Sequence, residues 1–150
     1  MAILAAAIAP ALIRYIDKSR RADDVTAAGS INSAMSAALA NESAYDEVMS
    51  VADGTILLTA AAGATTWTAG TGITAPTLIK EMNSSQQPPK LKYKKTVNSS
   101  ATDGTKKGSS FTPGAWAIAI SGGKPIVWVT SATSTGDAVM LQPSINDEYK

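Results

Sequence analysis

The sequence predicts an α+β domain in which one long N-terminal α-helix packs against a C-terminal antiparallel β-sheet of three or four strands. The helix is indicated by residues 11–49, which contain one glycine, no proline and many alanines. The sheet is indicated by the residues after 50, where serine, threonine, glycine and proline become frequent and the helical period disappears. At 150 residues, the chain is long enough for one domain with a hydrophobic core.

Apolar residues spaced mostly three or four apart predict one apolar face on this helix. They are Leu12, Ile16, Val25, Ala28, Ile31, Met35, Ala38, Leu39, Tyr45, Val48 and Met49. Pro10 lacks a backbone N–H and clashes with the preceding turn, so we expect a kink over residues 6–10. Gly29 weakens the middle of the helix, and the pair Asp53-Gly54 predicts its end.

The front of the helix is apolar, and its charge begins abruptly. Residues 1–13 carry no charge. Arg14, Asp17, Arg21 and Asp24 then follow at spacings of three or four, which allow ion pairs along the helix. Thirteen residues are fewer than the roughly 20 that a membrane-spanning helix needs. We therefore expect the apolar part to lie at an interface, to pack against protein, or to be the remainder of a longer segment.

The chain thus divides into a predicted helical stem over residues 1–50, amphipathic from residue 14, and a β-rich head over residues 51–150. The stem carries four basic and six acidic side chains, and the head carries nine basic and six acidic ones. These opposite net charges would favour stacking of copies, although differences this small also arise by chance.

Several short elements are predicted in the head. Residues 56–59 indicate a strand, and residues 60–74 a small, flexible, threonine-rich stretch. Residues 76–82 predict a short helix with proline in its first turn. Residues 90–94 alternate basic and apolar side chains, which is typical of a half-exposed strand. Residues 98–110 predict a polar loop.

A β-hairpin is the clearest strand prediction in the chain. Residues 115–120 alternate small and large side chains, and residues 125–130 return after a turn that contains Gly122 and Gly123. The alternation places Trp116, Ile118 and Ile120 on one face. Residues 138–141 predict a fourth strand.

Composition excludes much of enzyme chemistry. The chain has no cysteine and no histidine, which excludes disulfides, thiol catalysis, the usual zinc sites and the most common general base. The formal net charge of +1 provides no strong field for nucleic acid or an anionic membrane. Motifs of the dinucleotide-binding G-x-G-x-x-G type and of the nucleophile-elbow type are missing as well. We therefore expect no enzyme activity, no cofactor, no metal and no small-molecule substrate.

The residues from Ile3 to Leu12 read Ile-Leu-Ala-Ala-Ala-Ile-Ala-Pro-Ala-Leu and are followed by Tyr15 and a charged helix. This segment resembles the N-terminal helix of type IV pilins and pseudopilins, and a hairpin on a long helix is similar to the pilin head. The resemblance implies a structural subunit of an extracellular bacterial filament, anchored in the inner membrane before the pilus machinery assembles it. The family's processing signal, a glycine followed by a glutamate, is missing. The chain is therefore expected to be a variant cut partway into that helix, or a divergent subunit with a short stem.

The stem is predicted to assemble copies of the chain into a homo-oligomeric helical filament. Full burial of a large aliphatic side chain contributes about 1.5–3 kcal/mol, whereas association costs about 4–15 kcal/mol in lost freedom. A stem that contacts several neighbours therefore gains far more than a single pair of stems. The predicted assembly residues are Ile3, Leu4, Ala5, Ala6, Ile8, Pro10, Leu12, Ile13, Arg14, Asp17 and Arg21.

Binding modules on the same fold form the alternative: a minor pilin or pseudopilin that acts in adhesion, DNA capture or secretion. Lys92, Lys94 and Lys95 would supply a phosphate-binding patch, although lysines at a solvated strand edge are the more common arrangement. Trp67 lies in a polar stretch and is a candidate ligand platform. The alternation of the hairpin instead favours core packing for Trp116 and Trp128.

Overall fold

The computed structural model describes residues 2–99, 109–133 and 136–150, with side chains from Pro10 onward. Its architecture is α+β, as predicted. The helices are α1 (Ala2–Ala38), α2 (Glu42–Met49) and α3 (Pro76–Ser85), with a 3-10 helix at Asp147–Tyr149. The strands are β1 (Ile56–Ala61), β2 (Thr68–Ala69), β3 (Val97–Asn98), β4 (Ser110–Phe111), β5 (Pro113–Ser121), β6 (Lys124–Ser131) and β7 (Ala138–Gln142).

The main sheet is antiparallel and has five strands in the order β2-β1-β5-β6-β7. Its centre is the predicted hairpin, in which Trp116 pairs with Val129 and Ile118 with Val127. Strand β7 adds to β6 as expected, and β1 pairs with β5. The sheet has more strands than predicted because β2 forms in the stretch over residues 60–74, where it pairs with β1. A separate two-stranded ribbon joins β3 to β4.

The second half of α1 forms one side of the hydrophobic core. Its fully buried apolar residues are Ala28, Ile31 and Met35, and Ala38 is nearly so. They lie on the predicted apolar face, and α1 packs against β6 and β7. The helix continues through both Pro10 and Gly29. The core therefore contains part of the predicted stem, and the folded head extends well beyond residues 51–150.

The helix prediction is wrong at its C-terminal end. We expected one helix up to Asp53-Gly54, but α1 ends at Ala38 and α2 begins at Glu42. Asn41 causes the new start, because its Oδ1 accepts the backbone N–H groups of Ser43 at 3.0 Å and Ala44 at 3.5 Å. The break changes the buried face, so Tyr45 and Met49 are 47% and 46% exposed.

Residues 90–94 are extended but form no strand, which corrects a second prediction. The alternation did predict burial, because Leu91 and Tyr93 are buried and Lys92 and Lys94 are exposed. This segment lies along α1 and not beside another strand. The backbone N–H groups of Lys92 and Tyr93 bind the Asp24 carboxylate, at 2.8 and 3.0 Å.

The three tryptophans have different environments. Trp116 is buried on the core face, as predicted. Trp128 is only half-buried and pairs with Ala117 on the opposite face of the sheet, so its predicted core position is wrong. Trp67 is 1% exposed and anchors the stretch that we expected to be flexible. Most of the predicted polar loop over 98–110 lies outside the described residues.

Asp53 and Gly54 form a turn that fixes the β5–β6 hairpin, where we expected a helix end. The Gly54 N–H donates to the carbonyl oxygen of Ile120 at 2.7 Å. The Asp53 carboxylate accepts the Gly122 N–H at 2.9 Å and the Ser121 hydroxyl at 3.1 Å. Gly122 has a φ of +57°, a conformation that side chains other than glycine rarely adopt.

Candidate assembly surface

The exposed front of α1 carries a group of large apolar side chains. Leu12 and Ile13 are each 54% exposed, Tyr15 is 72% exposed and Ile16 is 40% exposed. We call these four residues the N-terminal patch. Because they lie within five consecutive helical residues, their side chains form one contiguous surface around about one and a half turns of helix. A contiguous exposed apolar surface of this kind marks an interaction site.

Large apolar side chains are rarely exposed elsewhere. Among the described residues, only Tyr45, Met49 and Ile145 also expose a large apolar side chain to a comparable extent. On the predicted apolar face of α1, by contrast, Ala28, Ile31, Met35 and Ala38 are buried. The helix therefore changes from a core element to an exposed one along its own length, and the change occurs at residues 21–24.

A buried carboxylate marks that change. Asp24 is 1% exposed and lies on α1 against the segment 90–95. Its two oxygens accept the backbone N–H groups of Lys92 and Tyr93, which have no strand partner of their own. Hydrogen bonds to a charged group contribute more than neutral ones do, so this contact ties the segment to the helix.

Further contacts around Asp24 hold the same segment. Lys95 forms an ion pair with Asp17, and Lys92 pairs with Asp23 at 2.9 Å. The Arg21 guanidinium donates to the Tyr93 hydroxyl at 2.6 Å and lies 4.6 Å from the centroid of the same ring. The expected ion pairs along the helix are therefore replaced by contacts between the helix and the head.

Burial raises the pKa of the Asp24 carboxyl above its ordinary value, against the opposing effect of its two backbone donors and the Lys94 charge. Burial also raises the pKa of the Tyr149 hydroxyl, and the Asp24 charge adds to that effect. The Tyr149 ring packs edge-on against Tyr93, with 5.6 Å between the ring centroids. Tyr149, near the C-terminal end of the described chain, therefore packs against the cluster formed by Asp24, Arg21 and Tyr93.

The predicted assembly residues separate into three groups. The side chains of Ile3, Leu4, Ala5, Ala6 and Ile8 lie outside the described part. Pro10, Leu12, Ile13 and Arg14 are exposed on the front of α1. Asp17 and Arg21 bind the head of their own chain. Of the residues described, the surface available to another molecule is therefore the front of α1.

The residues suggested for ligand or nucleic-acid contact do not form one site. Lys92 and Lys95 each pair with an aspartate on α1, which removes most of the positive field that a phosphate would meet. Lys94 is exposed. Trp67 is buried, its backbone N–H donates to Asn83 Oδ1 at 2.6 Å, and its ring Nε1 donates to the Gln86 carbonyl oxygen at 2.6 Å. The ligand-platform interpretation of Trp67 is therefore wrong.

Two open grooves lie on the outer face of the sheet. One, of about 380 Å³, is lined by Trp128, Met140, Ile126 and Ala119 with Ser121 and Asn146 at its edge. The other, of about 680 Å³, is lined mainly by threonines and alanines of β1, β5 and β6. The described residues that line the two grooves include no acidic or basic side chain, so the grooves offer hydroxyl, amide and apolar contacts.

The described ranges of the chain are residues 2–99, 109–133 and 136–150. Within them, no group of three or more aspartates and glutamates lies close enough together to hold a metal ion. No helix in that part of the chain combines the length and apolar character needed to cross a membrane.

The chain matches no protein-family model, no curated protein and no solved structure.

Proposed function

We propose that this protein is a structural, pilin-like subunit that assembles into an extracellular bacterial filament of the type IV pilus kind. The observation that carries the proposal is the N-terminal patch, four large apolar side chains exposed at the front of a helix that is buried further along. Its partners are other copies of the chain, with the inner membrane and the pilus machinery acting before assembly.

The energetics favour an array over a dimer. About half of the surface of Leu12, Ile13 and Ile16 is exposed, so complete burial of each would contribute about 1 kcal/mol. With Tyr15, the patch supplies about 3–6 kcal/mol, which is close to the lower limit of the roughly 4–15 kcal/mol that association costs. One pair of patches is therefore weak, whereas a subunit that contacts several neighbours is held firmly.

The head supports the same function by fixing the direction of the stem. Asp24, Arg21 and Asp17 bind the segment 90–95, so the front of α1 leaves the head at a defined angle. A fixed angle repeats from copy to copy, and repeated contacts that do not close into a ring produce an open filament.

The test is Ile13→Asp, compared with Ser19→Asp as a control at an exposed polar position of the same helix. We expect Ile13→Asp to abolish assembly, measured by sedimentation and electron microscopy, and Ser19→Asp to leave filaments in place. Filaments of normal abundance and appearance in Ile13→Asp would contradict the proposed function.

A further inference from the structure

The N-terminal patch needs a receiving surface, and the opposite end of the head carries an exposed surface that matches it. Helix α2 presents Glu42, Tyr45, Asp46 and Met49 to solvent, at spacings of three and four that place them on one side of the helix. We call these four residues the α2 face. It combines two exposed large apolar side chains with two exposed carboxylates.

A small cavity opens beside the α2 face. It has a volume of about 150 Å³, and its lining is apolar at Val48, Met49, Val51, Leu57 and Ile120 and polar at Asp53 and Thr55. A volume of about 150 Å³ is large enough to hold a benzene-sized group. Tyr15, Leu12 and Ile13 each carry a side chain of about that size, and each is at least half exposed.

The charges of the two surfaces are opposite. Residues 10–21, which contain the N-terminal patch, hold four basic side chains and one acidic one. The single acidic residue, Asp17, is already paired with Lys95, which leaves the front of the helix positive. Residues 42–53 hold four acidic side chains and no basic one.

Two of these acids are free for a partner. Glu47 binds the first turn of α3, where its oxygens accept the N–H groups of Thr77 and Leu78 at 3.0 Å each. Asp53 holds the hairpin turn. Glu42 and Asp46 are exposed and have no side-chain partner among the described residues.

Geometry prevents one molecule from joining its own two surfaces. Ile16 and Ala38 are both on α1, and 22 residues of continuous helix span about 33 Å along its axis. The α2 face follows directly after that helix. The front and the α2 face of one chain are therefore at opposite ends of the head.

We propose that the α2 face and its cavity bind the N-terminal patch of the next copy, in a head-to-tail contact that repeats along the assembly. This inference rests on the proposed function, because it names the surface that receives the patch. The contact is heterologous, since two different surfaces of the same chain meet, and such a contact propagates when its rotation does not close a ring. Arg14 and Lys18 are positioned to approach Glu42 and Asp46 of the neighbouring copy.

Charge exchange tests the contact. The rear variant carries Glu42→Lys and Asp46→Lys, and the front variant carries Arg14→Glu and Lys18→Glu. Each alone should raise the critical concentration for assembly by about tenfold or more, because like charges then face each other. A chain that carries all four changes should assemble within about threefold of the wild type, because the opposite charges are restored.

Two further variants distinguish the effect of apolar packing on assembly from the effect of net charge. Tyr45→Asp should raise the critical concentration by about tenfold or more, as expected for an aromatic residue central to an interface. Asp147→Lys is the control, since it changes the net charge as much as Asp46→Lys does, at an exposed residue outside the α2 face. It should have little effect. Circular dichroism of each variant checks that the fold is retained.

The outcomes distinguish this inference from the proposed function. If Ile13→Asp blocks assembly while the rear variant and Tyr45→Asp assemble like the wild type, the receiving surface lies elsewhere and only this inference is overturned. Failure of the four-change chain to recover assembly, with its fold intact, also overturns it. If the wild type remains monomeric, or if Ile13→Asp assembles normally, both proposals are overturned.

Discussion

The two halves of helix α1 have the same backbone conformation and opposite surroundings. Residues 10–20 expose Leu12, Ile13 and Ile16, whereas Ala28, Ile31 and Met35 are fully buried against the sheet. Both halves have large apolar residues spaced four apart, Leu12 and Ile16 in the first half and Ile31 and Met35 in the second. Helical periodicity therefore identifies the face that packs, but it does not say whether the partner belongs to the same chain or to another molecule.

The two halves of α1 are expected to differ most in how much stability is lost when an apolar side chain is truncated to alanine. Ile31→Ala removes buried methylenes and should lower the free energy of unfolding by about 2–5 kcal/mol. Ile13→Ala should change it by less than about 0.5 kcal/mol, because that side chain is exposed in the monomer. Urea denaturation of dilute protein measures both. Similar losses in the two variants would show that the front of α1 packs within its own chain.

At the boundary between the two halves, Asp24 is expected to contribute to the stability of the fold. Asp24→Asn leaves one acceptor oxygen for two backbone donors, so it should lower the free energy of unfolding by about 1–3 kcal/mol. Asp23→Asn is the matched control, because Asp23 forms an exposed ion pair with Lys92 that is worth about 1 kcal/mol or less. Equal effects in urea denaturation would contradict a special role of Asp24.

The raised pKa of Asp24 predicts how the difference in stability between the wild type and Asp24→Asn changes with pH. The pKa of Asp24 is higher in the folded state than in the unfolded chain, where it is near 3.8. The folded state therefore binds the Asp24 proton more tightly than the unfolded chain does, and this binding stabilises the fold. The stabilisation is complete at a pH below the pKa of Asp24 in the unfolded chain, and it is lost as the pH rises through the pKa of Asp24 in the folded state. The difference in unfolding free energy between the wild type and Asp24→Asn should be larger at about pH 3 than at about pH 7. A smaller difference in acid would contradict the raised pKa.

The smallest expected effect comes from Gly29 in the buried half. A Cβ at this position would lie 3.8 Å from Gln142 Nε2, which is an ordinary contact. Gly29→Ala should therefore stabilise the protein by about 0.5–1 kcal/mol through helix propensity. Ala22→Gly, at an exposed position of the same helix, should destabilise it by a similar amount. Thermal unfolding measures both, and destabilisation by Gly29→Ala would contradict an ordinary contact between the added methyl group and Gln142.

Local chemistry predicted much of the fold. The β5–β6 hairpin and α3 formed where turn residues, alternation and Pro76 indicated them. The end of α1 was also signalled, because Asn41 followed by Glu42 is an N-cap followed by an acidic first-turn residue. We missed it because the apolar spacing continues across the break.

Contacts between residues that are far apart in the sequence could not be predicted from local sequence patterns. Residues 90–94 alternate as a strand does, but Asp24, 68 positions before Lys92, binds the N–H groups that a strand partner would take. Trp67 sits among small polar residues, yet it is buried because Asn83 and Gln86 satisfy its two N–H groups. The α2 face was missed because Tyr45 and Met49 have the spacing of core residues.

The continuity of α1 has a mechanical consequence. The helix that carries the exposed front is also the helix that packs on β6 and β7, with no joint between the two parts. Tension applied to the front of the helix would therefore pass along its hydrogen bonds directly into the sheet. In a filament of such subunits, stretching would strain each domain as a whole, so the force needed to extend the fibre would report the unfolding strength of the head.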